Sequence, residues 1–116
     1  MSDNQTEKSV TRKDADGNEV LALTIPTIFE DLNEKEGLDK NHKRSEIIIR
    51  RLKFKHFRKL SQLSEEKQMI YAISTLTDLS EDDIDELDAQ DAGEVTRVII
   101  GFMNSFMNLA QNMMPK

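Results

Sequence analysis

The amino-acid sequence predicts a small α+β fold, mostly helical. It consists of a disordered N-terminal tail, a small two-stranded β element, and three to four helices ending in a long C-terminal amphipathic one. Three observations predict it. The first 18 residues, MSDNQTEKSVTRKDADGN, are almost devoid of apolar side chains. Two short runs, "EVLALTI" and "SEIIIRRL", are rich in aliphatic, often β-branched residues. From Phe54 onward apolar residues recur every three or four positions.

The N-terminal stretch carries only Met1, Val10 and Ala15 as apolar residues. Such a segment buries too little surface to offset its ordering entropy. Residues 1–18 are therefore read as a disordered tail and 19–116 as a single small α+β domain. A first strand is expected from about Glu19 to Ile25, ended by Pro26, which has no N–H to give to a ladder. The polar segment "EDLNEKEGLDKNHKR", with Gly37 inside it, reads as a loop or a frayed helical turn. Three consecutive isoleucines, stiff at χ1 and suited to a pleated surface, place a second strand over Ser45 to Leu52. The two strands can pair antiparallel, within one chain or across two. A lone pair is unstable in water and must rest on helices or on another chain.

Phe54, Phe57, Leu60 and Leu63 suit one or two short helical turns, with the phenylalanines facing the core. "SEEKQMIYAISTLTDL" follows as a helix of three to four turns. Ser64 is its N-cap, and Glu65 and Glu66 stand at the positive end of the helix dipole. Met69, Ile70, Ile73, Leu76 and Leu79 form its apolar face. Ser80 to Asp83 has the form of a capping box, with Ile84 and Leu87 on a short helix behind it. Asp88 to Asp91 offers a second cap and opens the last helix, "DAGEVTRVIIGFMNSFMNLAQNMM". There Val95, Val98, Ile99, Phe102, Met103, Phe106, Leu109 and Met113 follow 3–4 spacing. At a gross value of roughly 1.5–3 kcal/mol per buried side chain, this face is expected to be the largest single stabilising term.

Composition narrows the chemistry. With no cysteine there are no disulfides and no thiolate metal sites, which fits a reducing compartment. No apolar run approaches the roughly 20 residues of a membrane span, and the N-terminus lacks the apolar centre of a signal peptide. A soluble, non-exported chain is expected. The acidic run "TDLSEDDIDELDAQD" fails as an EF-hand. Counted from Asp83, Asp85 falls at the third position, but Leu87 takes the fifth and Asp88 the sixth, where glycine belongs. Glu94 at the twelfth makes the match only partial. The run reads instead as helix caps and solvated surface, since acid–base catalysis needs a pocket that perturbs a carboxylate. His42 and His56 have no metal-ligand spacing, and four isolated glycines form no phosphate loop. A non-enzymatic chain without cofactor or metal is expected.

Charge is unevenly spread. The net charge of −6 argues against a general nucleic-acid binder. Yet residues 40–59 hold nine Lys or Arg against the single acid Glu46, and residues 78–94 hold nine acids and no base. The basic patch of Arg50, Arg51, Lys53, Lys55 and Arg58 interleaves with Phe54 and Phe57. It reads as a solvated rim, as a protein-binding patch, or as a phosphate-contacting face. Met103, Met107, Met113 and Met114 crowd the last helix. Methionine suits surfaces that accept varied partners, with core packing as the plain alternative. The candidate partner-binding surface is Phe102, Met103, Phe106, Met107, Leu109 and Met113. That face is wider than a domain of this size can cover, and it points to a helical partner or self-association.

The succession "LALTIP", "IIIRRLKFKHFRKL", "LTDLSEDDIDELDAQD" and "VIIGFM" resembles the tail assembly chaperones of contractile-tailed phages, found in Mu-like and P2-like phages and prophages. That family typically shows an Arg-rich "LRRP"-type segment, a short "DLR" helix, an "LTGLS"-acidic hinge and a "GFF"-like element. The similarity spans about residues 19 to 103. Lys53 stands where the family usually has proline, His56 where an acid is common, and the connection from Thr27 to Arg44 is longer than usual. The resemblance implies a non-enzymatic chaperone in the host bacterial cytoplasm. It would coat the helical tape measure protein until tail tube subunits polymerise around it, and be absent from the finished virion. The tape measure protein is the expected partner, with the tail tube protein and further copies of the chain as others. A longer frameshifted product is common in the family. Two alternatives come from the residues themselves. One is a small nucleic-acid-associated regulatory protein using the basic 40–59 segment. The other is a scaffold subunit that self-assembles through its basic and acidic segments.

Overall fold

The sheet is built around β2, Glu19–Ile28, with β1, Thr11–Lys13, on one side and β3, Lys43–Ile49, on the other. Both pairings are antiparallel. The computed structural model describes residues 11–113, the side chains of the last two excepted. Among the described residues there are five helices: α1, Glu30–Lys35, between β2 and β3, then α2, Phe54–Leu60, α3, Glu65–Thr77, α4, Glu81–Asp85, and α5, Ala89–Met113. The α+β class, the helical majority and the long last helix are those expected from the sequence.

The sheet differs from expectation in having a third strand. Residues 11–18, assigned to a disordered tail on composition, form β1 and a tight turn onto β2. Thr11 lies opposite Leu21 and Lys13 opposite Glu19. The turn is held by polar contacts rather than apolar burial. The Asp14 carboxylate accepts the amides of Asp16 and Asn18, both at 2.9 Å, and Gly17 supplies a φ of +85° that other residues rarely adopt. Residues 1–10 of the expected tail lie outside the described residues.

Strand ends also shift. β2 continues through Pro26 to Ile28, because the chain bulges there. Ala22 pairs with Glu46 and Thr27 with Arg44, so Leu23 to Pro26 stand against Ser45 alone. β3 begins at Lys43 and stops at Ile49, short of the expected Leu52. The segment read as a loop or a frayed helical turn holds the short helix α1, anchored by buried Phe29 and Leu32. Buried Asn33 organises the turn after it. Its amide donates to the carbonyls of Lys40 and His42 at 3.1 and 2.9 Å, and its oxygen accepts from Arg44 Nε at 2.9 Å.

Leu21, Leu23, Ile47 and Ile49 project from one face of the sheet into a core with Ile73 and Leu76 of α3, Leu79, Ile84, Leu87, and Val95 and Ile99 of α5. Ile48, one residue out of phase, is exposed, as period-two alternation requires. Ser64 precedes α3 with extended backbone but makes no side-chain cap bond. Ser80 caps α4, its Oγ accepting the Asp83 amide at 3.1 Å.

The expected capping box is half formed, because the Asp83 carboxylate is used elsewhere. It is buried and accepts the amides of Asp31 and Leu32, at 3.2 and 2.9 Å, at the start of α1. The Ser80 hydroxyl in turn donates to the Asp31 carboxylate at 2.6 Å. Asp88 accepts the Gln90 amide in the first turn of α5 at 3.0 Å. Asp91, one residue on, is buried against the β2 bulge. The acidic run therefore holds the fold together at Asp83 and Asp91 and is solvated at Glu81, Asp82, Asp85 and Glu86.

Candidate protein-binding surface

The candidate surface begins where α5 outruns the domain. A 25-residue helix is about 37 Å long at 1.5 Å per residue. Its first half packs on β2 and α3, with Val95 and Ile99 fully buried and Ala92, Val98, Phe102 and Met103 partly so. Beyond Met103 no residue of the helix is fully buried among those whose side chains are described. The face expected to be a continuous core stripe therefore divides into a core half and a half left at the surface.

The six residues singled out on this helix part company. Phe102, Phe106 and Leu109 line an open groove of 460 Å³ with Leu52, and Lys13 and Arg51 stand in the same wall. Their spacing of i, i+4 and i+7 puts them on one helical strip. Met103 turns toward the core, and Met107, on the neighbouring strip, is 43% exposed. Met113 is the last helical residue, its side chain outside the described residues, as is Met114 entirely. Leu109 is 58% exposed, a large fraction for a leucine on a helix whose neighbouring turn is buried.

The aromatic residues of α2 close one side. The Phe57 and Phe106 rings are 4.4 Å apart between centroids, and those of Phe54 and Phe106 are 6.0 Å apart, both tilted. Such pairs add about 0.5–1.5 kcal/mol beyond area burial. They tie α2 to the outer part of α5. Phe54 was expected to face the core, but it is 62% exposed and joins the apolar surface instead. Its period placed it on the right helix strip; whether core or solvent lies on that side depends on where α5 passes.

Four residues of the basic patch share one cavity wall, and the fifth, Arg58, stands apart. Arg50, though partly exposed, is already paired within the chain. Its guanidinium holds both carboxylate oxygens of Asp78, at 2.6 and 3.0 Å, and donates to the Thr75 carbonyl at the end of α3. The hydrogen bonds from Arg50 hold the Asp78 carboxyl below its ordinary range. Arg50, Arg51, Lys53 and Lys55 line a second, polar cavity of 630 Å³ together with His56, Asp16 and Asp78. His56 Nδ1 accepts the Lys53 amide at 2.9 Å, capping α2, and burial with the nearby Lys55, Lys53 and Arg50 lowers its pKa. Arg58 is exposed on α2 and lines neither cavity. With Arg50 neutralised and two acids in the wall, this cavity presents a mixed rather than a uniformly positive face.

Among the described residues no three His, Asp or Glu side chains converge as metal ligands, and no helix is long and apolar enough to cross a membrane. What the sequence reading missed is that Leu52 lines the groove and that Phe54 lies against Phe106 at the surface. In comparisons with known proteins, no family model, no curated protein and no solved structure matches this chain.

Proposed function

We propose that the chain is a non-enzymatic chaperone of the phage tail assembly kind, which holds the tape measure protein in the host cytoplasm before tail tube subunits polymerise. One observation carries the reading. The apolar strip of α5 continues past the core into an open groove ending at exposed Leu109, beside exposed Met107 and Phe54. A tape measure protein offers long helices with apolar stripes, and an i, i+4, i+7 strip is the usual seat for such a helix. Methionine beside the strip lets one surface accept successive registers of a repetitive client. Several copies along one long client would bind with avidity.

The test is co-expression with the tape measure protein of the same phage or prophage, scoring client in the soluble fraction. Leu109→Asp and Met107→Asp alter exposed residues and leave the core intact. Both variants are expected to fold as the parent does by circular dichroism and to lose the client to the pellet. The parent complex is expected to survive high salt. Retention of soluble client by both folded variants would sink the reading.

A further inference from the structure

Resting on that reading, we infer that the groove selects a client helix whose apolar stripe is flanked by acidic residues. The floor and the wall of the groove say different things. Leu52, Phe102, Phe106 and Leu109 ask only for apolar contact. Lys13 and Arg51 in the same wall add charge of one sign, although the chain as a whole carries −6.

Lys13 is already paired with Glu19 at 2.6 Å. Arg51 is exposed and has no hydrogen bond or ion pair among the described residues, so it is the free charge at the groove. No acid lines the groove, and α5 carries none beyond Glu94. An apolar helix with Glu or Asp beside its stripe would meet Arg51 with opposite charge, whereas a Lys-flanked helix would place like charges together at the groove.

A second copy of the chain fits this seat poorly. Its own acidic, amphipathic stretch has Leu79, Ile84 and Leu87 buried in the core, so no acid-flanked apolar face is free to offer. The occupant is therefore a helix from another protein.

Two stapled helical peptides test this with the full-length chain, read by fluorescence anisotropy. Both carry leucines at i, i+4 and i+7. One flanks them with Glu and the other with Lys. The Glu peptide is expected to bind roughly fivefold tighter at low salt, the size of one or two exposed ion pairs. The gap is expected to narrow at high salt. Arg51→Glu is expected to abolish or reverse the preference, and Leu109→Asp to weaken both peptides together. Equal binding of the two peptides, a preference for Lys, or a preference unchanged by Arg51→Glu would overturn the inference. So would sedimentation showing a dimer that Leu109→Asp dissociates. If the charge preference fails while soluble client is still lost in Leu109→Asp, the selectivity is wrong and the chaperone reading stands. If neither peptide binds and the variants keep the client, both are wrong.

Discussion

Both carboxylate oxygens of Asp91 face the backbone amide of Thr24, at 2.9 and 3.0 Å, across 67 residues of sequence. The next amide, Ile25, reaches the same carboxylate at 3.3 Å, and Pro26 has no N–H to place. These are the donors that the bulge in β2 takes out of the ladder with β3. A buried acid at the start of α5 thus replaces the missing strand partner and fixes the helix to the sheet. Asp91→Ala should destabilise the fold by about 1–3 kcal/mol, since part-buried bonds from the Thr24 and Ile25 amides would lose their charged acceptor. Urea denaturation measures this. Asp91→Asn should recover part of the loss, because its amide keeps one acceptor oxygen. An unchanged midpoint in Asp91→Ala would show that the bulge is solvated in solution.

Two aliphatic residues ten positions apart on α5 should behave oppositely. Ile99 is fully buried, so Ile99→Ala should cost about 2–5 kcal/mol of stability. Leu109 is mostly exposed, and Leu109→Ala should change stability by no more than about 0.5 kcal/mol. Thermal melts of the two variants give the comparison. A large loss in Leu109→Ala would mean that the helix end is covered in the free protein.

The Arg50–Asp78 pair sets an acid-side dependence. Asp78 has its folded pKa lowered from an ordinary value of 3.8, chiefly by the hydrogen bonds from Arg50. A lowered acid stabilises the fold above its unfolded pKa and loses that contribution as pH falls through the folded value. Stability should therefore decline below about pH 4 in the parent and decline less in Asp78→Asn. Because both side chains are partly exposed, the effect should be about 0.5–1 kcal/mol. Asparagine tolerates the left-handed backbone at this position, φ 67°, so the comparison isolates charge. Identical acid-side slopes would show that the pair is broken in solution.

Gly17→Ala should destabilise the β1–β2 turn by about 1 kcal/mol through backbone strain. An added Cβ would meet nothing within 4 Å, so crowding contributes nothing. Amide exchange should accelerate at Val20, opposite Arg12, more than at Ile47 in the core strand. Uniform acceleration would indicate that the hairpin unfolds only with the whole domain.

The order and type of the helices were legible because each repeats its apolar residues at its own period. Ile73, Leu76, Val95 and Ile99 fall where that period puts the core. The isoleucine strand was legible for the same reason. The N-terminal hairpin was not, because its residues are polar and its turn depends on Asp14 and Gly17 rather than on burial. The dipeptide Asp16-Gly17 was the available signal. The candidate surface was half legible. Phe102, Phe106 and Leu109 could be placed on one strip, but the assignment of Phe54 to the core was reversed.

The chain's local pattern determined by itself the helices, the isoleucine strand and the apolar strip of the last helix, since hydrogen bonds and side-chain spacing within a turn or two depend only on near neighbours. Only the tertiary structure decided which acids turn inward, how far the core covers α5, and that Arg50 is paired with Asp78 while Arg51 is left at the groove. Asp83 and Asp91 answer backbone donors 51 to 67 residues away. The exposure of Leu109 follows from how little surface so small a fold has available to cover it. Both depend on where distant segments meet, and no local spacing encodes that.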